Sequence, residues 1–351
     1  MRVATFNAKN LTKPGERIYF GRDPLYTEGE YAEKTWWIGQ RLLEMDADVI
    51  GFQEIWKIDA LVDCLKEVGL EDEYDVIGRD APDNFSVQVA TMVRKGTARS
   101  EAVWHTQFPE NARFIKRRTD QSTYHMDVLI DNFSRPVLEL RVKPKRRGSS
   151  EVTFFNSHLK SKRPIDLDRA ERDKLPSEDE VAIGSALSNI RRSAEAAALR
   201  VVLNARMIEN DDPVVVLGDL NDDYLSVSTT IVTGDPSYKL FEASRVGSRA
   251  SKSADLGLYS VQMLKQYRSL RNVHYTHVYK NRIEVLDHIL VSEQFYDHSL
   301  KREWAFRDAK YWNDHLEDHD NSHTTTDHGI VMAEFDFRPI KKDIEDAAEI
   351  V

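Results

Sequence analysis

The residues of this chain that could do chemistry sit where apolar runs stop. Asn7 follows Val3–Phe6, and Glu54 closes Asp48-Val-Ile-Gly-Phe-Gln. His158 comes just after Phe154-Phe155, and Asp219 and Asn221 follow Val214–Leu217 and Gly218. Asp287 precedes Ile289–Val291, and Asp327-His328 precede Ile330–Met332. Short apolar runs bounded by polar residues read as buried strands, and a strand end is a rigid mount for a reactive side chain. A buried charge there needs a partner or a metal ion. Carboxylates, amides and imidazoles without a thiolate suit Mg²⁺, Mn²⁺ or Ca²⁺ better than a structural Zn²⁺. Taken singly, Asn7 or Asp287 is as readily a turn residue or strand cap, and Gly-Asp-Leu-Asn is also good turn chemistry. The joint pattern carries the inference.

The elements that must hold these ends alternate between strand and helix. Tyr31, Thr35, Ile38, Leu42 and Met45 predict one helical face over 31–45. Ile58, Leu61, Val62, Leu65 and Val68 predict a second helix. Residues 74–142 read as several strands, with Val87, Val89, Thr91 and Val93 spaced for a half-buried one. A strand over 151–156 leads to His158. A long helix is expected over 177–209, burying Ile183, Leu187, Ile190, Ala194, Ala197, Val201, Ala205 and Ile208 and opening with Ser177 and Glu180 at capping-box spacing. Trp36 and Trp37 are expected to serve the core, although one of them is off the main helical face. Strands over 285–291 and 330–337 close the pattern, 243–255 reads as an exposed loop, and 341–351 as a charged tail. One catalytic domain over 1–340 is the simplest parse.

Composition bounds the rest. The 351 residues are 41% hydrophobic and 31% charged, enough for a large core under a solvated surface. The net charge of −10 means that any polyanionic substrate must meet a local basic face. The lone cysteine, Cys64, rules out an intrachain disulfide. It suggests a reducing compartment, and cytoplasmic localisation is expected. No apolar run reaches the length of a membrane span. No obligate protein partner is evident.

The motifs Thr-Phe-Asn7, Asp-Val-Ile-Gly-Phe-Gln-Glu54, Asn-Ser-His158-Leu-Lys-Ser, Leu-Gly-Asp219-Leu-Asn221-Asp, Leu-Asp287-His-Ile-Leu-Val-Ser and Thr-Asp327-His328 occur in this order. The set resembles the endonuclease/exonuclease/phosphatase superfamily, whose fold is that of pancreatic deoxyribonuclease. The resemblance implies a four-layer α/β sandwich, two packed mixed sheets with helices outside. It also implies roles. Glu54 would be the main metal ligand, with Asn7 near the same metal and the phosphate. Asp219 would orient or deprotonate the attacking water, and Asn221 would hold a phosphate oxygen. His328 would bind the scissile phosphate, Asp287 would fix its tautomer, and His158 would be a second imidazole, in some branches the acid for the leaving group. Asp327 would reach a metal. Mg²⁺ or Mn²⁺ is the implied cofactor, with Ca²⁺ as an alternative. The sequence departs from the family's Ser-Asp-His-x-Pro, since Ile330 stands where the proline would be. Tyr124 is a candidate for the family's mid-chain catalytic tyrosine, and Arg135, in Ser-Arg-Pro, is expected to face the phosphate.

Substrate is less marked. Arg113–Arg118, Arg141–Arg147 and His158–Arg163 are locally basic, and Lys160 and Lys162 lie beside His158. These would line a groove for a nucleic-acid backbone, or the first two are solvated hairpin tips. The His- and Asp-rich stretch 315–328 is either a second metal site or a polar rim loop. A metal-dependent nuclease on DNA or RNA is the leading expectation. A small-molecule or lipid-headgroup phosphodiesterase or phosphatase of the same fold is the alternative, and a catalytically inert binding protein the third.

Overall fold

The structure, a computed structural model, describes residues 1–19, 23–82, 86–112, 114–116, 126–208, 210–236, 238, 256–268, 274–280, 282–316 and 323–340. Arg113, Arg117, Arg118, Tyr124, the 243–255 loop and the 341–351 tail lie outside them.

Two six-stranded mixed sheets form the centre. The first runs β15 (Trp304–Trp312), β16 (Ile330–Phe337), β1 (Arg2–Leu11), β2 (Val49–Ile55), β4 (Gln88–Arg94), β3 (Tyr74–Gly78). The second runs β11 (Tyr259–Ser260), β14 (Asp287–Val291), β10 (Val214–Asp219), β9 (Val152–His158), β8 (Asn132–Val142), β5 (Val103–Gln107). Two hairpins stand apart, β6 (Phe114–Lys116) with β7 (Met126–Val128), and β12 (His277–Tyr279) with β13 (Arg282–Glu284). The helices are α1 (Glu28–Met45), α2 (Ile58–Lys66), α3 (Arg169–Arg172), α4 (Ser177–Met207), α5 (Val227–Thr233) and α6 (Val261–Arg268). β1–β2 and β9–β10 pair in parallel, so in each sheet two neighbouring strands end on the same side.

Three apolar layers hold four structural layers together. Val3, Val49 and Val93 of the first sheet meet Leu138, Phe154, Val215 and Ile289 of the second. On the outer face of the first sheet, Phe6, Ile50 and Met92 pack under Ile38, Leu42, Leu61 and Cys64 of α1 and α2. On the outer face of the second, Phe155, Val214 and Val216 pack under Ala196, Leu199 and Leu203 of α4. This is the α/β sandwich the sequence implied. A polar staple crosses the inner layer. Gln53 Nε2 donates to Asn156 Oδ1 at 2.7 Å, and Asn156 Nδ2 donates to Ala90 O at 2.8 Å.

The helices follow their periodicity unequally. Thr27 and Glu30 form a capping box at the start of α1, which buries the five residues spaced for it and also Lys34. Of the tryptophan pair, Trp37 packs on Phe6 with ring centroids 6.0 Å apart, while Trp36 is exposed. β4 is buried on both faces, where the alternation suggested one.

α4 departs most. Ile183, Leu187, Ile190 and Ile208 are exposed, and the buried stripe is Gly184, Ser188, Arg192, Glu195, Leu199 and Val202. The helix is turned because its polar stripe holds the segment after His158. Glu195 Oε2 accepts from Lys160 N at 2.8 Å, and Ser188 Oγ donates to Arg163 O. A Cβ at Gly184 would lie 2.5 Å from Ile165 O, so only glycine allows that approach. The expected capping box at Ser177 does not form. Pro176 is the N-cap, and Ser177 Oγ donates to Glu178 at 3.0 Å.

Candidate active site

Strand register assembles one half of the site. Asp219, the last residue of β10, pairs with His158 on β9 and with Asp287 on β14. Adjacent strands lie about 4.8 Å apart, so these three side chains are neighbours by construction. Gly218 makes the row possible, since at φ 152° a Cβ would sit 1.9 Å from Ser157 O. His328 arrives just before β16, and its Nδ1–H donates to Asp287 Oδ2 at 2.9 Å. Beyond the strand, Asn221 takes φ 56°, its N–H donates to Asp219 Oδ1 at 2.8 Å, and its Nδ2 donates to Leu159 O at 3.0 Å.

The other half is built from kinks. β1 shifts register after Asn7, where Lys9 and Asn10 take φ 49° and 55°. β2 shifts before Ile55, and Glu54 takes φ 60°. Such conformations cost on the order of 1–3 kcal/mol each and persist only when their surroundings hold them. Asn10 N donates to Glu54 Oε2 at 3.0 Å, and Asn7 Nδ2 donates to Glu54 Oε1 at 3.3 Å. Asn7 Nδ2 also donates to Asp219 Oδ2 at 3.1 Å, which joins the two halves.

Asp219 is therefore a hub. Its Oδ2 lies 3.5 Å from His158 Nε2 and 3.9 Å from His328 Nε2. Burial pushes its pKa up to about 7, with Asp287 and Glu54 adding to the rise against His328 and the Asn221 N–H. Burial works against a charge on His328 too, but Asp287 and Asp219 outweigh it and hold its pKa well above the ordinary value. Burial, then Arg135 and His328, hold His158 well below the ordinary value. The two imidazoles therefore differ in charge near neutral pH. Among the described residues, His158 Nδ1 and Asp287 Oδ1 are buried without a hydrogen-bond partner.

The other expected residues lie around this core. Arg135 on β8 donates from Nη1 to Leu159 O at 3.0 Å. Lys160 Nζ donates to Ser161 O at 3.1 Å and Arg163 O at 3.0 Å, and burial and then Arg135 lower its pKa to about 8. Lys162 Nζ pairs with Glu284 at 2.6 Å. Asp327 stays outside the core, its side chain 55% exposed and 4.0 Å from Lys9 Nζ. His315 Nε2 donates to His328 O at 2.9 Å and its ring lies against Trp37, while residues 317–322 of this His- and Asp-rich stretch lie outside the described residues. The Arg141–Arg147 segment joins β8 to the start of β9. At ~3.3 Å per residue it lies about 20 Å along the strand from His158, too far to line a groove through the site. Clefts of about 520 Å³ and 770 Å³ likewise lie away from this cluster, one beside Met1 and Arg146 and one against α4.

Lys34 had not been singled out. It is wholly buried, and its Nζ donates to Thr325 O at 2.9 Å and Lys9 O at 3.3 Å, tying the kinked end of β1 to the segment before His328. Burial, then Lys9, lower its pKa to about 7. Thr326 Oγ1 makes a parallel tie to Asn7 O at 2.7 Å. Gly329 N donates to Thr276 O at 2.6 Å, restoring the rigidity that the missing proline would have given. Asp222 was also overlooked, although it directly follows Asn221. It accepts from Ser228 Oγ at 2.6 Å and Arg192 Nε at 3.3 Å. A lysine at a position spaced for the apolar face of a helix is the signal that could have found Lys34.

The family model described as Endonuclease/Exonuclease/phosphatase family matches residues 35–328. The chain belongs to this family. It is a phosphoesterase, a hydrolase of phosphoester bonds. No curated protein sequence matches it. Its fold is similar to that of a mannosyl-6-phosphatase from Bacteroides thetaiotaomicron, with TM-score 0.54 and 16% identity over 96% of this chain and 100% of the other. It is similar to truncated TDP2 from Caenorhabditis elegans, at TM-score 0.51 and 12% identity over 96% and 97% of the two chains. It is also similar to the human Nocturnin catalytic domain with bound sulfate, at TM-score 0.52 and 15% identity over 96% and 94%. At these identities the likeness is one of fold.

Endonuclease/exonuclease/phosphatase enzymes generally use divalent metals, and the residues here fit one. Asp219, Asp287 and His328 each offer a ligand atom, all within 4.8 Å of one another. Asp287 Oδ1 is buried with no other partner, and Glu54 brings a further carboxylate through Asn7.

Proposed function

We propose that the chain is a divalent-metal-dependent phosphodiester hydrolase acting on nucleic acid, with Mg²⁺ or Mn²⁺ held by Glu54, Asp219 and Asn7. The observation that carries this reading is the hub at Asp219, a buried carboxylate joined by hydrogen bonds to Asn7 and Asn221 and lying within 4 Å of two imidazoles, His158 at 3.5 Å and His328 at 3.9 Å. A buried carboxylate with few hydrogen-bond donors is suited to take a proton from water. The water oxygen forms the new bond to phosphorus, the ester P–O bond breaks, and the departing oxygen takes a proton. His328, held protonated by Asp287, is the imidazole able to donate to a phosphate oxygen or the leaving group. His158, held neutral, hydrogen-bonds the phosphate rather than acting as the acid. Asn7 and Asn221 orient Asp219, and the second amide hydrogen of Asn221, the one not given to Leu159 O, is offered to the phosphate. A bound divalent cation would neutralise phosphate charge. Asp327, half exposed, serves at most an outer cation contact.

For nucleic acid speak Arg135 and Lys160, whose charges act on His158, and Lys162 and Arg163 next along the chain, on a protein of net charge −10. A small-molecule phosphatase or phosphodiesterase is the second reading. In its favour, Lys160 and Lys162 already serve neighbouring carbonyls and Glu284, which leaves less charge for a backbone. Cleavage of supercoiled plasmid with Mg²⁺ or Mn²⁺, beside EDTA and Glu54→Ala controls, tests the first reading. Nicking that vanishes in both controls is the expected result. Turnover of bis-p-nitrophenyl phosphate or a hexose 6-phosphate without nicking would transfer the same site to the second. The buried free Cys64 supports a reducing compartment, and we place the enzyme in the cytoplasm.

A further inference from the structure

The β12–β13 hairpin is joined directly to the site. His277 forms a backbone bridge with His328, and Thr276 O accepts from Gly329 N at 2.6 Å. Thr276 Oγ1 accepts from Leu286 N at 2.9 Å and from Asp287 N at 3.1 Å. The hairpin therefore moves with Asp287 and His328. Its register pairs His277 with Glu284, Val278 with Ile283, and Tyr279 with Arg282. Side chains alternate between faces, so His277, Tyr279, Arg282 and Glu284 share one face. That face is the one turned to the site, because the His277 ring centroid lies 5.2 Å from that of His328. The Tyr279 ring follows, 6.4 Å from His277 and inclined by 21°. A row of rings thus leads from the buried site to the rim, where Tyr279 is 60% exposed. Lys280 Nζ lies 5.3 Å over the Tyr279 ring, and Arg282 is exposed directly across the hairpin. Glu284, the acid of this face, is already paired with Lys162 at 2.6 Å. His277 Nδ1 is buried and has no hydrogen-bond partner among the described residues.

An exposed aromatic ring flanked by two cations, next to a phosphate-cleaving centre, is the combination that binds an unstacked nucleotide. A sugar phosphate offers such a ring only C–H contacts, and the two cations beside it disfavour a cationic headgroup. We infer that this face of the hairpin is a base-stacking arm. It takes the nucleotide next to the scissile phosphate, with its base on Tyr279 and the adjoining backbone phosphate on Lys280 and Arg282. The inference rests on the nucleic-acid reading above and names the form of that substrate, a single strand or an opened end whose base is free to leave its stack.

The test compares two single-stranded oligonucleotides with one cleavable phosphodiester, one of them carrying an abasic analogue beside that bond. With Mn²⁺ and the full chain, Tyr279→Ala should lower kcat/KM on the base-containing strand by about 5- to 150-fold, the range of one base–aromatic stack. It should leave the abasic strand nearly unchanged. Tyr279→Trp should restore the rate, and Ile283→Ser, on the opposite face, should have no effect. Lys280→Glu with Arg282→Glu should raise KM on both strands and flatten the salt dependence. Equal rates of wild type and Tyr279→Ala on the base-containing strand would overturn the arm and leave the nuclease reading standing. Wild type that cleaves neither strand yet turns over bis-p-nitrophenyl phosphate would overturn both.

Discussion

The two sheets deliver their reactive ends in different ways. In the second sheet, His158, Asp219 and Asp287 are abreast because β9, β10 and β14 are in register and Gly218 lets the strands close up. In the first, Asn7 and Glu54 meet only because β1 and β2 leave their registers, with Lys9, Asn10 and Glu54 in left-handed conformations. One side is regular and buried. The other is strained and depends on ties from outside the sheet, above all Lys34 and Thr326. Changes on the regular side should therefore strike the chemistry, while changes behind the strained side should strike geometry and stability together.

The largest expected effect is at the regular side. Asp219→Asn should lower kcat by about 10²–10⁴-fold, the range of a lost general base, with little change in the melting temperature at acidic pH. Rapid-quench kinetics on a small phosphodiester would read this. On the strained side, Glu54→Gln should cost about 10²–10³-fold, and higher Mn²⁺ should recover part of it. A loss at Glu54 that no metal concentration relieves would break the division of labour.

A pH series sharpens the same contrast. The Asp219 carboxyl ionises near 3.8 when unfolded and near about 7 when folded, so the native state holds the extra proton between these values. Its contribution to stability therefore falls as pH rises through that window. In EDTA, Asp219→Asn should melt above wild type at pH 8 and by a smaller margin at pH 5.5. Added Mn²⁺ should stabilise wild type more at pH 8 than at pH 5.5. Differential scanning calorimetry would read both, and a margin independent of pH would contradict the placement of that proton.

Behind the strained side, Lys34→Met takes the Nζ donor from the Thr325 carbonyl, at about 1–3 kcal/mol, and leaves the Lys9 carbonyl with the Tyr26 hydroxyl. Lower stability together with a several-fold fall in kcat is expected, and Lys34→Arg should recover part of both. A variant of unchanged kcat would mean that the kinked end of β1 holds itself. The smallest effects belong to α4. Leu187→Ser, on its exposed apolar face, should change stability by no more than about 0.5 kcal/mol, whereas Glu195→Ala, on its buried stripe, should cost several times that. Chemical denaturation of the pair would show whether the turned helix holds the segment after His158.

The regular side was the more legible in the sequence. A buried strand that ends in Asp219 or begins with Asp287 is visible as an apolar run beside a carboxylate, and register then leaves little freedom. Asn7 and Glu54 were visible by type and place, but the kinks that aim them were not, because neither Lys9-Asn10 nor Glu54 carries the glycine that usually marks a left-handed residue. α1 followed its periodicity, and α4 did not. Periodicity locates the apolar stripe, yet Ser188, Arg192 and Glu195 have specific partners in the 160–163 segment and in Asp222, and those bonds set the rotation. Lys34 was hidden for a related reason. A lysine on a buried face looks like a break in a pattern until the two carbonyls it serves are in view.

The central claim is that Asp219, fed by both sheets, is the proton acceptor of a metal-dependent phosphodiester cleavage. Single-turnover hydrolysis of bis-p-nitrophenyl phosphate at saturating Mn²⁺, from pH 5 to 9, tests it most directly. The expected rate rises with pH to a plateau in wild type, disappears in EDTA, and falls by at least about 10²-fold in Asp219→Asn, which should also lose the rise. A rate in Asp219→Asn equal to that of wild type, or an undiminished rate in EDTA, would contradict the claim.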